Sequence, residues 1–219
     1  MNSPKFHVDG IILDLDGTIV DSKEAYLDAA METFSAFGQK LLGQKAAFEI
    51  PKRFELGVPL DDLTQGIDVD SFCEVYLKAY YAATAIRSKP FPHVADALEE
   101  LLMKARLALT TRRRVPKSEV VKQLERFGLS KYFEVIITGV DTASPKPSPD
   151  TIFKCSRELG VSITNCMVVG DSITDIEAGK NAGTRTIAVF SGIFSRKELQ
   201  RANPDLILAN VIFMPDFLE

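Results

Sequence analysis

Six short apolar runs recur along the chain without alternation, at residues 10–13, 107–109, 135–137, 167–169, 186–190 and 206–208. Continuous runs of this kind read as strands buried on both faces of a parallel sheet. Between them, residues 95–104, 118–127, 149–159 and 174–182 carry apolar positions at helical spacing. The alternation predicts an α/β fold: a doubly wound parallel sheet of Rossmann-like type.

The rhythm breaks once. After the first strand the next clear one comes near Leu107, and the intervening stretch holds amphipathic segments at 24–37 and 69–86. Pro51, Gly57, Pro59 and Gly66 punctuate the shorter pieces between them. This predicts an all-helical domain at 22–89 inserted into a core made of 1–21 and 90–219. Its flanks, 19–22 and 88–92, would be two hinge strands side by side, with Pro90 and Pro92 stiffening the return.

Composition narrows the function. With 26 Lys+Arg against 30 Asp+Glu and a net charge of -4, no overall positive field exists to hold a nucleic acid. Arg112, Arg113 and Arg114 form the one basic cluster and read as a solvated turn. No apolar run approaches the roughly 20 residues of a membrane span, and residues 1–10 lack the features of a signal peptide, so a cytoplasmic protein is expected. Cys73, Cys155 and Cys166 are scattered in apolar surroundings and read as buried thiols. With His7 and His93 the only histidines, chemistry must run on carboxylates, hydroxyls and lysine.

Such groups stand at the ends of the predicted strands. Asp14 and Asp16 close the first, where alternation would point both to one side and Gly17 would let the backbone turn away. Asp171 follows the strand at 167–169, with Asp175 in the first turn of the next helix. Acids at two strand ends repel one another unless a cation joins them, and Mg²⁺, a hard ion that also binds phosphate, is the natural choice. Thr110 and Thr111 end another strand, and Lys146 stands between Pro145 and Pro147. A hydroxyl and a fixed ammonium suit phosphate oxygens.

Together, Asp14-x-Asp16-Gly17-Thr18, Thr110, Lys146-Pro147-x-Pro149 and Gly170-Asp171-x-x-x-Asp175 resemble the four motifs of the haloacid dehalogenase superfamily, in order, over residues 10 to about 210. Asp21-Ser22 and Asn181-Ala182-Gly183 are similar to phosphoglycolate-phosphatase-like members. The helical insert resembles that family's C1 cap, which closes over the active site. Thr111 stands where such relatives often have Asn, and His93 where they often have Gly. A phosphonatase would need a Schiff-base lysine in the cap, which none of its lysines marks, and dehalogenase members lack an acid at the position of Asp16.

The resemblance implies Mg²⁺-dependent hydrolysis of a small phosphorylated metabolite through an aspartyl-phosphate. Asp14 would be the nucleophile and Asp16 the acid and base. Mg²⁺ would be held by Asp14, the Asp16 main-chain carbonyl and Asp171, with Asp175 behind them. Thr110, Lys146 and backbone N–H groups near Gly17 and Thr111 would bind the phosphate, and Arg53 in the cap would meet a substrate anion. A phosphomutase of the β-phosphoglucomutase kind shares these residues, and a phosphate-sensing relative without turnover is the competing non-enzymatic reading.

Overall fold

A computed structural model describes residues 5–41 and 43–219, so residues 1–4 of the expected core and Leu42 of the expected insert lie outside the described residues. Strands β1 (Gly10–Asp14), β4 (Arg106–Thr110), β5 (Val135–Ile137), β6 (Cys166–Gly170), β7 (Arg185–Val189) and β8 (Leu206–Leu208) form one sheet in the order β5-β4-β1-β6-β7-β8. Every pairing in it is parallel. The chain order reverses beside β1, and open sheets bind ligands at the carboxyl ends of strands at such a switch point. β1 is buried along its whole length. Its pleat sends Ile11 and Leu13 into a core shared with Leu98 and Leu101 of α4 (Val94–Leu102) and Val120 and Leu124 of α5 (Lys117–Arg126). Ile12 faces the opposite side, with Ile152 and Leu159 of α6 (Asp150–Leu159) and Ala178 of α7 (Ile173–Ala182). The doubly wound sheet is therefore present, each expected strand within a residue or two of its apolar run. A short α8 (Arg196–Arg201), too brief to show a period, joins it.

The chain divides into two compact units, residues up to Val20 with Pro90–Glu219, and Asp21–Lys89. Short strands β2 (Val20–Asp21) and β3 (Lys89–Pro90) pair where the chain crosses between the units. In the helical unit, the Ser22 and Ser88 hydroxyls meet at 2.9 Å. Helices α1 (Lys23–Ala36) and α3 (Val69–Arg87) join through stacked Tyr26 and Tyr80, 5.0 Å between centroids, and edge-on Phe34 and Phe72, 5.3 Å.

The sequence pattern missed helix α2 (Gln44–Leu56), which carries Pro51 in its interior. A helical proline loses one backbone bond at a cost of about 3 kcal/mol. Here Pro51 is buried with Ala47 and Ile50 on the helix's inner face, so packing overrides the local preference. His93 explains its own oddity: it caps α4 at φ 62, left-handed backbone that glycine adopts without strain.

Candidate active site

Asp14 is the last residue of β1, and its Cα partner across the ladder is Thr110, the last residue of β4. Both are buried. Lys146, on the loop between β5 and α6, is also buried, and its ammonium donates to Asp14 Oδ1 at 2.7 Å and Asp175 Oδ1 at 2.6 Å. Asp175 holds still because it completes a capping box at the start of α7: its Oδ2 accepts from the Ser172 amide at 3.2 Å and hydroxyl at 2.7 Å. Burial pushes the Asp14 carboxyl well above the usual carboxylate range; Lys146 opposes that shift and Asp175 adds to it. Burial alone would depress the Lys146 ammonium, but Asp14 and Asp175 outweigh it and push its pKa up, so it stays charged.

Asp171, directly after β6, completes the group. Carboxylate oxygens of Asp14, Asp171 and Asp175 lie within 4.8 Å of one another, all three residues buried. The Asp171 carboxylate rests in a cradle of two glycines. A Cβ on Gly17 would come within 2.3 Å of Asp171 Oδ2, and one on Gly192 within 1.7 Å. Ser191 clips the same corner by donating to the Gly17 carbonyl at 2.6 Å. Buried carboxylates outnumber the single ammonium here, and all-oxygen donors suit a hard divalent cation. These residues fit one. Gly192 and Ser191 escaped the sequence reading, because nothing local to a Ser-Gly turn after β7 reveals that it packs on Asp171.

Asp16 is held differently from Asp14. β1 stops at Asp14, and Asp16 forms an isolated bridge with Val20 beyond it. Its carboxylate meets the forked guanidinium of Arg113, Nε donating to Oδ2 at 2.7 Å and Nη2 to Oδ1 at 2.5 Å. It is not part of the carboxylate cluster. Arg113 also donates through Nη1 to Gln123 Oε1 at 2.6 Å. The expected solvated turn is thus wrong for Arg113, which is 7% exposed. Arg112 lies half-buried and donates to the Lys146 carbonyl at 2.6 Å, bracing the lysine loop.

Other expected donors are engaged inside their loops. The Gly17 amide donates to the Val20 carbonyl at 2.8 Å and the Thr111 amide to the Ile137 carbonyl at 3.1 Å. The Thr111 hydroxyl accepts from the Arg113 amide at 3.2 Å. In the helical unit, Arg53 of α2 donates to the Pro59 carbonyl at 2.8 Å, to both oxygens of Asp62 and to Glu49 at 3.4 Å. Its guanidinium thus ties α2 to the loop that follows it.

The sequence model of haloacid dehalogenase-like hydrolases matches residues 11–189. The chain belongs to that family. A pyrophosphatase PpaX from Halalkalibacterium halodurans is 29% identical over 216 residues, covering 97% of this chain and 96% of that one. A phosphoglycolate phosphatase from Aquifex aeolicus is 31% identical, covering 91% of each. Among solved structures, a proposed β-phosphoglucomutase from Thermotoga maritima superposes with a TM-score of 0.71 at 25% identity, over 95% of this chain and 97% of that one. No helix among the described residues is long and apolar enough to cross a membrane.

Proposed function

We propose that this hydrolase is a Mg²⁺-dependent phosphatase acting on a small phosphomonoester through an aspartyl-phosphate. The observation that carries the reading is the buried Asp14 carboxylate at a sheet edge, opposite Thr110 and bonded to Lys146. Asp14 attacks phosphorus, and the bond from phosphorus to the ester oxygen breaks as Asp16 gives that oxygen a proton. Water then attacks the acyl phosphate, Asp16 takes its proton, and orthophosphate leaves with Asp14 restored. One carboxyl can do both because leaving group and water occupy the same apical place in turn. Lys146 and the Thr110 hydroxyl bind the equatorial oxygens, where charge builds in the transition state. Asp14, Asp171 and the Asp16 main-chain carbonyl would hold Mg²⁺, which neutralises phosphate charge when bound. Asp175 keeps Lys146 in place. The helical unit would supply substrate selectivity, as the cap of the family does.

The relatives named for phosphoglycolate and pyrophosphate suggest small, densely charged substrates. The likeness to a β-phosphoglucomutase favours, as a second reading, phosphoryl transfer between positions of a sugar. Release of orthophosphate from p-nitrophenyl phosphate, phosphoglycolate, pyrophosphate and hexose phosphates, with and without Mg²⁺, tests both. Mg²⁺-dependent release that falls by more than about 10⁴-fold in a folded Asp14→Asn variant is expected. A near-normal rate in that variant refutes the nucleophile, and isomerised hexose phosphate without orthophosphate supports the mutase.

A further inference from the structure

Among the described residues, the chemistry proposed above leaves one buried cation unused. Arg113 follows β4 and, at 7% exposure, is sequestered almost as fully as the lysine that holds the nucleophile. Three of its side-chain bonds point inward. Two go to the Asp16 carboxylate and the third to Gln123, itself 8% exposed on α5. A buried arginine and carboxylate give up hydration on both sides, so the pair is a weak source of stability and asks for another reason to be there. Geometry supplies one. A guanidinium fork meeting both oxygens fixes the plane of the carboxylate as well as its position, which an ammonium cannot do. Gln123 fixes the fork in turn, through the one nitrogen that Asp16 does not use. An ionised carboxylate offers about four lone-pair sites, of which the fork takes two.

We propose that Arg113, backed by Gln123, is a positioning residue that sets the angle of the Asp16 carboxyl for proton transfer. The inference rests on the acid–base role proposed for Asp16. Neither residue touches the reacting atoms; both act through Asp16. Misplacing a catalytic group by about 1 Å costs on the order of 10²-fold. Losing the fork should therefore lower kcat by about 10- to 100-fold and leave KM within about threefold, since the residues proposed to grip phosphate are untouched.

The test is a set of steady-state measurements on whichever phosphate ester the wild type turns over, using Arg113→Ala, Arg113→Lys, Gln123→Leu and Asp16→Asn, with melting temperatures alongside. Arg113→Lys keeps the charge without the fork and should stay slow; Gln123→Leu, which leaves the fork unsupported, should lose about 3- to 10-fold in kcat. In an Asp16→Asn background, Arg113→Ala should change kcat by less than about threefold, because there is no acid left to aim. If Arg113→Ala costs as much there as in the wild type, the arginine is structural and the proposal fails. It fails too if Arg113→Lys restores full kcat, or if any Arg113 variant is faster than wild type, as release of an inhibitory latch would be. Should Arg113→Ala not fold, Arg113→Lys and Gln123→Leu decide: normal kcat in both overturns the proposal. No turnover by the wild type on any ester, or a fully active Asp16→Asn, would instead overturn the proposed function beneath it.

Discussion

Lys146 stands between two carboxylates with all three groups out of water, so removing it exposes the electrostatics of the site directly. In Lys146→Met the stem volume is kept while both ion pairs, 2.7 and 2.6 Å long, are lost. Asp14 and Asp175, with ligand oxygens within 4.8 Å, then face each other without a counter-charge. At an effective dielectric constant of about 20, that repulsion alone is about 3.5 kcal/mol. Breaking a buried pair typically costs about 3–5 kcal/mol, the same range by an independent route. For a chain of this size each kcal/mol moves the melting temperature by roughly 2–4 °C, so a fall of about 6–20 °C is expected. The chain has no tryptophan, so urea and thermal unfolding are best followed by far-UV circular dichroism, at pH 8 in EDTA. Adding Asp175→Asn to the variant should recover part of the loss, as should Mg²⁺. A deficit below about 1 kcal/mol in EDTA, or no recovery on removing the second carboxylate, would refute the picture of Lys146 as the counter-ion of a buried pair.

Gly192→Ala places a methyl where Asp171 Oδ2 now sits, and a carboxylate can turn aside more easily than backbone can move. The expected result is a folded protein whose Mg²⁺ affinity, read by calorimetry, falls by about 10- to 100-fold, as for disturbed metal surroundings generally; unchanged affinity would remove Asp171 from the metal site. Cys155 is fully buried, and burial pushes its thiol up to about 12, so almost no thiolate exists at pH 8. Native protein should therefore react with a disulfide reagent first at the half-buried Cys73, with Cys155 and Cys166 reacting only on unfolding; rapid modification of Cys155, read by mass spectrometry of peptides, would contradict the packing.

The core was legible because strands of a parallel sheet are apolar on both faces, so each appears as an unbroken run that acids can only terminate. Asp14 and Asp171 were visible for the same reason, each standing where such a run stops, and Asp175 because it falls in the first turn of the helix that follows. What sequence could not show was pairing at a distance. Arg112, Arg113 and Arg114 look alike in one dimension, and only the placement of Gln123 on α5 and of Asp16 beyond β1 decides that the middle one is buried. Alternation likewise put Asp14 and Asp16 together, yet it applies only while the strand lasts, and β1 ends at Asp14. Helix α2 was hidden because a proline outweighs weak propensities locally and is itself outweighed by burial beside Ala47 and Ile50.

The two cations of the site are matched to different tasks. An ammonium carries three donors on a rotatable axis, so Lys146 can bridge Asp14 and Asp175 from one point, taking only Oδ1 from each. That leaves the other Asp14 oxygen outside the ion pair. A nucleophile needs such an oxygen, whereas a group that only passes protons does not, provided its lone pairs remain accessible. Asp16 accordingly has both oxygens in the fork of Arg113. Exchanging the cations would undo both arrangements. A planar fork at position 146 would tend to lock both oxygens of Asp14, and an ammonium at position 113 would let the plane of Asp16 turn. The choice of lysine on one loop and arginine on the other thus fits the roles proposed for Asp14 and Asp16.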